Sequence, residues 1–368
     1  MSSKRDKFSN EDKKFMKLAL NLASVRRGLT GDNPSVGCVI VKNDQIISLG
    51  QTGFNGRPHS EYNAIKNSHT NLNGCKMYVT LEPCNHYGKT PPCTKKIIKS
   101  GINEVIFPID DIDKKVKGKT SKILIDKKIK VKKGLLKKEA KVFYQSYYFN
   151  RKKKLPYTTA KIAVSKNNLI YSDGFKRITD QNSDKFTHYL RYKNDALMVT
   201  VKTLNTDNSK LNCRLKGFEK FSPIRVILDK NLDIKQNSYV FKTIQKKNTI
   251  IFHNSTNSLK IKNFRTKGVI LIKSKLNKLN LFNLKSILKD LYKFGVRNLL
   301  IEGGDKITKN LLKNKLINQF YLFKSSKILP KNKKYQTFSS FNILNIEYIN
   351  KFRITPKLAN DAITLYKR

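Results

Sequence analysis

Pro58-His59-Ser60-Glu61, Leu81-Glu82-Pro83-Cys84 and Pro91-Pro92-Cys93 are the stretches on which the reading of this chain turns. One imidazole and two thiols make a soft nitrogen–sulfur set suited to Zn2+, and three protein ligands leave the fourth tetrahedral position open to water. Glu61 is not needed to hold the ion. Two residues past the histidine, its carboxylate stands where it can take a proton from that water and pass it to a leaving nitrogen. Taken singly, these would read as a buried histidine and two inert core cysteines. Taken jointly, with proline before the histidine and before each cysteine, they point to a catalytic metal site.

The chain has 368 residues, 39% of them hydrophobic and 28% charged, which is enough for two globular domains with their own cores. The opening Met1-Ser2-Ser3-Lys4-Arg5-Asp6-Lys7 leads into polar helix-forming sequence, and no run approaches the roughly eighteen apolar residues of a membrane span. No membrane association is expected, and the location is read as cytoplasmic. Five cysteines, an odd number, argue for reduced thiols over a disulfide framework, with Cys38, Cys75 and Cys213 as packed residues. The formal charge of +50 raises the question of nucleic acid. The lysines are spread from Lys4 to Lys367 among abundant asparagine and isoleucine, as a bias in base composition would spread them, so no specific nucleic-acid partner is expected. The excess charge would still steer phosphorylated substrates.

Helices and strands alternate along the chain. Ser9 and Asp12 form a capping-box pattern, Phe15, Leu18, Ala19 and Leu22 mark a helical face, and Gly28 ends the helix. Strands are expected over 36–41, 45–49, 76–80, 104–108 and 129–132, and helices from near His59 and over 92–100, 121–127 and 135–149. This reading puts all three ligands at two helix N-termini, where thiolate is favoured over thiol. The charged run Asn150–Pro156 reads as a linker, dividing the chain into residues 1–150 and 151–368. Beyond it, strands are expected over 157–163, 196–201, 225–228, 249–253, 268–272 and 298–301, with late antiparallel strands at 320–323 and 362–366. One helix carries Phe186, Tyr189, Leu190 and Lys193 on a face, and another carries Leu284, Ile287, Leu288 and Leu291 before Gly295. Ile301-Glu302-Gly303-Gly304-Asp305 places a glycine pair between a strand and a helix, where backbone N–H groups could approach a phosphate; a plain tight turn would look the same.

His-x-Glu followed by Pro-Cys and a second cysteine is the zinc-deaminase arrangement. With Asn33-Pro34-Ser35-Val36-Gly37-Cys38-Val39 and Leu81-Glu82-Pro83-Cys84-Asn85-His86-Tyr87-Gly88-Lys89-Thr90-Pro91-Pro92-Cys93, the chain resembles the bifunctional riboflavin-biosynthesis deaminase/reductase family over nearly its whole length. The most specific element is the eight-residue gap between Cys84 and Cys93, where nucleoside and tRNA deaminases usually have two. The resemblance implies an α/β architecture, with an N-terminal cytidine-deaminase-like three-layer domain and a C-terminal dihydrofolate-reductase-like domain. It also implies a homo-oligomer, a phosphorylated pyrimidine substrate, and zinc and NADPH as cofactors. His59, Cys84 and Cys93 would hold the zinc, Glu61 would move the protons of hydrolytic deamination, and Asn33, His86 and Lys89 would bind the deaminase substrate.

For the second domain the resemblance implies reduction of a ribosyl chain to ribityl. Arg191, Leu211, Arg214 and Glu302 would contact substrate, with Arg191 or Arg214 on its phosphate. Ala163, Thr203, Asp207, Gly303 and Gly304 would face NADPH. The chain departs from the family here. Ser165-Lys166-Asn167-Asn168 replaces Ser-x-Asp-Gly, Gly174–Thr179 replaces a longer tryptophan-containing segment, Asn208-Ser209 replaces Asn-Pro, and there is no tryptophan. Two other readings stay open at this point: a deaminase with an inactive second domain, and a nucleic-acid deaminase exploiting the basic surface.

Overall fold

The computed structural model describes residues 7–175, 177–244, 248–354 and 361–368, so Lys176 of the Gly174–Thr179 segment lies outside the described residues. The chain divides into two compact units, Met1–Lys154 and Leu155–Arg368. The first is built on strands β1 (Gly37–Lys42), β2 (Gln45–Gln51), β3 (Lys76–Val79), β4 (Glu104–Phe107) and β5 (Lys130–Lys133), in spatial order β2-β1-β3-β4-β5. The β1–β2 hairpin turns through Asn43 and Asp44, both at positive φ, the conformation a tight two-residue turn requires. β3, β4 and β5 run parallel.

Alternation along β1 feeds two layers. Val39 and Val41 pack with Met16, Ala19 and Tyr78 under helix α1 (Asn10–Arg26). Cys38 and Ile40 pack on the opposite face with Ala64 and Ile97, which belong to α2 (Ser60–Lys66) and α3 (Cys93–Lys99). The capping box at Ser9 and Asp12 forms as expected. The expected face of α1 packs on the core, with Ala19 buried and Phe15, Leu18 and Leu22 partly buried against the same cluster, but the fully buried stripe is centred on Asp12, Met16, Ala19 and Ala23. Close approach of the strand explains the shift. A Cβ on Gly37 would lie 1.9 Å from the Ala19 carbonyl oxygen, so the strand meets the helix backbone directly where the small residues Ala19 and Ala23 lie. Gly37→Ala is therefore expected to destabilise this unit by at least about 2 kcal/mol, readable as a lower denaturation midpoint; an unchanged midpoint would contradict the close packing.

Helices α4 (Thr120–Ile125), α5 (Lys137–Phe143) and α6 (Gln145–Lys153) complete the unit. The single helix expected over 135–149 is broken at Tyr144, whose buried hydroxyl bonds to Thr80 Oγ1 at 2.6 Å and donates to the Ser35 carbonyl at 3.0 Å. The expected linker over 150–156 is in fact largely helical, since α6 continues through Lys153 and ends at Lys154 in the left-handed region.

The second unit contains β6 (Tyr157–Val164), β7 (Leu169–Ser172), β8 (Ala196–Thr200), β9 (Ile224–Leu228), β10 (Thr249–His253), β11 (Ile270–Lys273), β12 (Asn298–Ile301), β13 (Gln319–Lys324), β14 (Tyr335–Thr337), β15 (Asn350–Ile354) and β16 (Ala362–Lys367). Nine of them form one sheet in the order β11-β10-β9-β8-β12-β6-β13-β16-β15, while β14 pairs with β7 separately. The run from β11 to β13 is parallel, and β16 and β15 add antiparallel at the edge. Helices α7 (Gln181–Tyr192), α8 (Val201–Asp207), α9 (Tyr239–Lys242), α10 (Ser258–Thr266), α11 (Leu284–Lys293), α12 (Asp305–Lys313) and α13 (Phe341–Glu347) connect the strands. Leu284, Ile287, Leu288 and Leu291 form the buried face of α11, as their spacing predicts.

The substituted β6–β7 turn is intact. Asn168 takes the left-handed conformation (φ 64°) that glycine would otherwise supply, a conformation asparagine tolerates better than most residues. Asn167 accepts from Ser165 Oγ at 2.7 Å and donates to the Leu329 carbonyl at 2.8 Å, tying the turn to the following layer. Among the described residues no helix is long and apolar enough to cross a membrane.

Candidate active sites

In the first unit His59, Cys84 and Cys93 place one ligand atom each within 4.8 Å of one another. His59 is the N-cap of α2, and Cys93 is the first residue of α3. Cys84 lies on the loop after β3 and not at a helix start. Its sulfur nevertheless receives the Cys93 backbone N–H at 3.3 Å, so the helix terminus acts on it from across the site. His59 Nδ1 lies 3.3 Å from Cys93 Sγ and 3.6 Å from Cys84 Sγ. The Cys93 thiol lowers the Cys84 pKa while its own is pushed up, and a divalent ion binding both sulfurs would displace the thiol proton. A nitrogen–sulfur–sulfur cluster of this size fits zinc.

Glu61 sits in the first turn of α2, buried, and accepts from Ser60 Oγ at 2.8 Å. Burial raises its pKa, and the neighbouring His59 opposes that rise without cancelling it. A carboxyl with raised proton affinity beside a metal site is suited to holding a proton in transit. Glu61, His59 and Cys84 line one pocket together with Asn33, His86, Arg57, Gly88, Thr90, Tyr147 and Arg151. The Asn33 amide is fixed by donation to the Gly56 carbonyl at 2.9 Å. Among the described residues His86 Nδ1 is buried without a hydrogen-bond partner. Lys89, expected beside it, is exposed on the same loop and does not line the pocket. Glu82 of the Leu-Glu-Pro-Cys stretch serves the scaffold, since its carboxylate accepts the N–H groups of Asp111, Gly118 and Thr120 at 2.9–3.1 Å and so anchors the 111–120 loop on the pocket wall. Cys84→Ala should lose stoichiometric zinc and with it ammonia release; elemental analysis showing one zinc per chain in that variant would contradict the assignment.

In the second unit Arg191, from α7, meets Glu302 at the end of β12 in a two-pronged pair, Nε to Oε1 at 2.8 Å and Nη2 to Oε2 at 2.7 Å. Burial alone would raise the Glu302 pKa, but the Arg191 charge and hydrogen bonds outweigh it and hold the carboxylate below its usual range. The third arm of Arg191 donates to the Asn212 carbonyl at 3.1 Å, which leaves its fork committed within the protein. Arg214 is exposed and held by Asn212 Oδ1 at 3.0 Å. Leu211 is buried at positive φ, a strained position between these groups in sequence. Lys161, on β6, lies over the Phe323 ring at 4.8 Å; desolvation lowers its pKa against the pull of Glu302.

Ala163 is on β6, and Thr203 and Asp207 are in α8, where Thr200 caps the helix by accepting the Thr203 N–H. Gly303 packs so tightly that a Cβ would lie 2.4 Å from Ile307 Cγ2. Gly304 is the N-cap of α12 and has no side-chain cap; a Cβ there would meet nothing closer than Gln336 at 3.9 Å. An uncapped, open helix start of this kind fits a cofactor phosphate.

Residues 9–109 match the profile of the cytidine and deoxycytidylate deaminase zinc-binding region, and residues 168–358 match that of the RibD C-terminal domain. A riboflavin biosynthesis protein RibD from Aquifex aeolicus is 34% identical over 97% of this chain and 98% of its own length. The chain belongs to the RibD family. Another RibD, from Buchnera aphidicola, is 31% identical over 92% of this chain and 93% of that protein. The crystal structure of a Thermotoga maritima diaminohydroxyphosphoribosylaminopyrimidine deaminase/5-amino-6-(5-phosphoribosylamino)uracil reductase superposes with a TM-score of 0.80 at 29% identity, covering 96% of this chain and 98% of that one. As a RibD protein the chain is a zinc-dependent deaminase and a reductase of riboflavin biosynthesis, with zinc and NADPH as its cofactors.

Proposed function

We propose that the first unit hydrolytically deaminates 2,5-diamino-6-(5-phosphoribosylamino)pyrimidin-4-one and that the second reduces the ribosyl chain of the deaminated product. The observation that carries this reading is the ligand cluster of His59, Cys84 and Cys93 with buried Glu61 in the same pocket, joined to the activity named for the Thermotoga maritima structure. Zinc in this cluster supplies a Lewis acid that makes water nucleophilic near neutral pH. The chain's own residues handle the rest. Asn33 orients the ring from a fixed amide, and His86 offers an unpartnered ring nitrogen to the substrate's polar arm. Glu61 takes the proton from the attacking water, returns it to a ring nitrogen, and carries a second to the departing amine, so that water and the amino compound become the oxo compound and ammonia.

In the second unit NADPH supplies the hydride for reduction of the ribosyl carbon. Thr203, Asp207, Ala163 and the Gly303-Gly304 turn receive the cofactor, while Leu211 and Glu302 bound the substrate. Of the two arginines proposed for the phosphate, Arg214 is the better placed, because Glu302 occupies the fork of Arg191. The departure at Ser165–Asn168 does not dismantle this half, since the β6–β7 turn is rebuilt through Asn167 and Asn168. Five free cysteines, two of them metal ligands in this reading, support a reducing cytoplasm, and a homo-oligomer is part of the same proposal. The test scores ammonia release and NADPH oxidation separately on the full chain. Ammonia release from the diaminopyrimidine, with no NADPH oxidation when the deaminated product is supplied, would remove the reductase half; neither signal would remove both.

A further inference from the structure

The lysine expected to meet the substrate phosphate does not line the deaminase pocket, whereas a guanidinium that patterning did not single out does. Arg57 lines the same pocket as Glu61, His59 and His86. It is half-buried, two residues before the ligand His59, and its Nη1 donates to Thr90 Oγ1 on the loop between the two cysteine ligands. Its Nη2 is turned to the same loop, since a Cβ on Gly88 would lie 3.7 Å from it. Among the described residues Nε and Nη2 have no hydrogen-bond partner, and no carboxylate lies within ion-pair distance of Arg57. The pocket's acids other than Glu61 are engaged elsewhere. Glu82 accepts three backbone N–H groups, Asp111 accepts Tyr147 and the Asp113 N–H, and Asp113 accepts the Lys115 N–H. A permanently charged planar donor, partly desolvated and held by one arm, is well suited to a phosphate. His86 Nδ1, buried and unpartnered on the same loop, is a second donor for the same group in the tautomer that carries its proton there.

We propose that Arg57 is the specificity-determining residue by which this pocket selects a phosphorylated substrate, with Thr90 holding the guanidinium so that its remaining N–H groups meet the phosphate. This rests on the deaminase reading above and deepens it. It also gives the long gap between the cysteines a purpose, because only a loop reaching back from the metal ligands carries Gly88 and Thr90 to Arg57.

The test uses full-length, zinc-loaded wild type, Arg57→Met and Arg57→Lys. Ammonia release is measured with the phosphorylated pyrimidine and with the same compound after phosphatase treatment, and the readout is the ratio of the two kcat/KM values. Arg57→Met is expected to reduce that ratio by about 100-fold, through KM for the phosphorylated compound, and Arg57→Lys is expected to restore part of it. An equal fall on both compounds would make Arg57 only a strap for the loop and overturn the inference, as would an unchanged ratio. Titration with ribose phosphate, followed by phosphorus NMR, reads the same claim without catalysis. Loss of one class of site in Arg57→Met supports it and an isotherm identical to wild type overturns it, even if the wild type were to release no ammonia and the deaminase reading itself had failed.

Discussion

Glu61→Gln is expected to keep one zinc per chain and to lose ammonia release by about 10²–10⁴-fold. The two effects separate because Glu61 is not one of the three clustered ligands, while its carboxyl is the titratable group beside them whose proton affinity burial has raised. Glutamine fills nearly the same volume and can still accept from Ser60 Oγ, as Glu61 does at 2.8 Å, so the helix start and the pocket wall should stay as they are. What is lost is the ability to take a proton and return it. The loss should fall on kcat more than on KM, since substrate placement is assigned to other residues. Zinc content by elemental analysis and ammonia release, measured on one preparation, check both halves. Retained activity with zinc in place would remove Glu61 from the mechanism; loss of zinc would show that the carboxylate helps hold the ion.

The metal ligands were legible because their chemistry is unusual and their prolines mark the turns that carry them. The same holds for the hydrophobic periodicities of α11 and the parallel strands, which are local signals. What escaped the sequence depends on contacts between distant segments. The buried face of α1 is set by Gly37, whose missing side chain admits Ala19 and Ala23 against the strand; no periodicity in α1 reports that. The break at Tyr144 follows from its hydroxyl reaching Ser35, 109 residues away. Arg57 could not be distinguished from a surface arginine until Thr90 was seen to hold it. The resemblance left the phosphate to Arg191 or Arg214, and only the fold shows that Glu302, 111 residues on, already occupies the fork of Arg191. Glu82 shows the converse: it stands in the most recognisable motif of the chain, yet it serves to anchor a loop.

Glu302→Gln should abolish NADPH oxidation while ammonia release persists. The pair with Arg191 is two-pronged and largely shielded, with side-chain exposures of 11% and 16%. Removing one charge leaves the guanidinium with a neutral partner in a place where water cannot replace the loss, a cost of about 3–5 kcal/mol for broken buried pairs. Glutamine keeps an acceptor for one prong, which puts the expected destabilisation of the second unit toward the lower end of that range. The consequences extend beyond stability. Arg191 also holds the Asn212 carbonyl, and Asn212 Oδ1 holds Arg214, so loosening the pair releases the segment that positions the proposed phosphate ligand. Lys161 loses the negative charge that opposes its desolvation, so its pKa should fall further. Thermal unfolding followed alongside separate ammonia and NADPH assays distinguishes these effects. A variant that folds at the wild-type midpoint and oxidises NADPH at the wild-type rate would show that the pair is neither structural nor part of the reductase site. Loss of NADPH oxidation in protein that remains folded at the assay temperature would show that the Glu302–Arg191 pair serves the reductase site and not merely the scaffold.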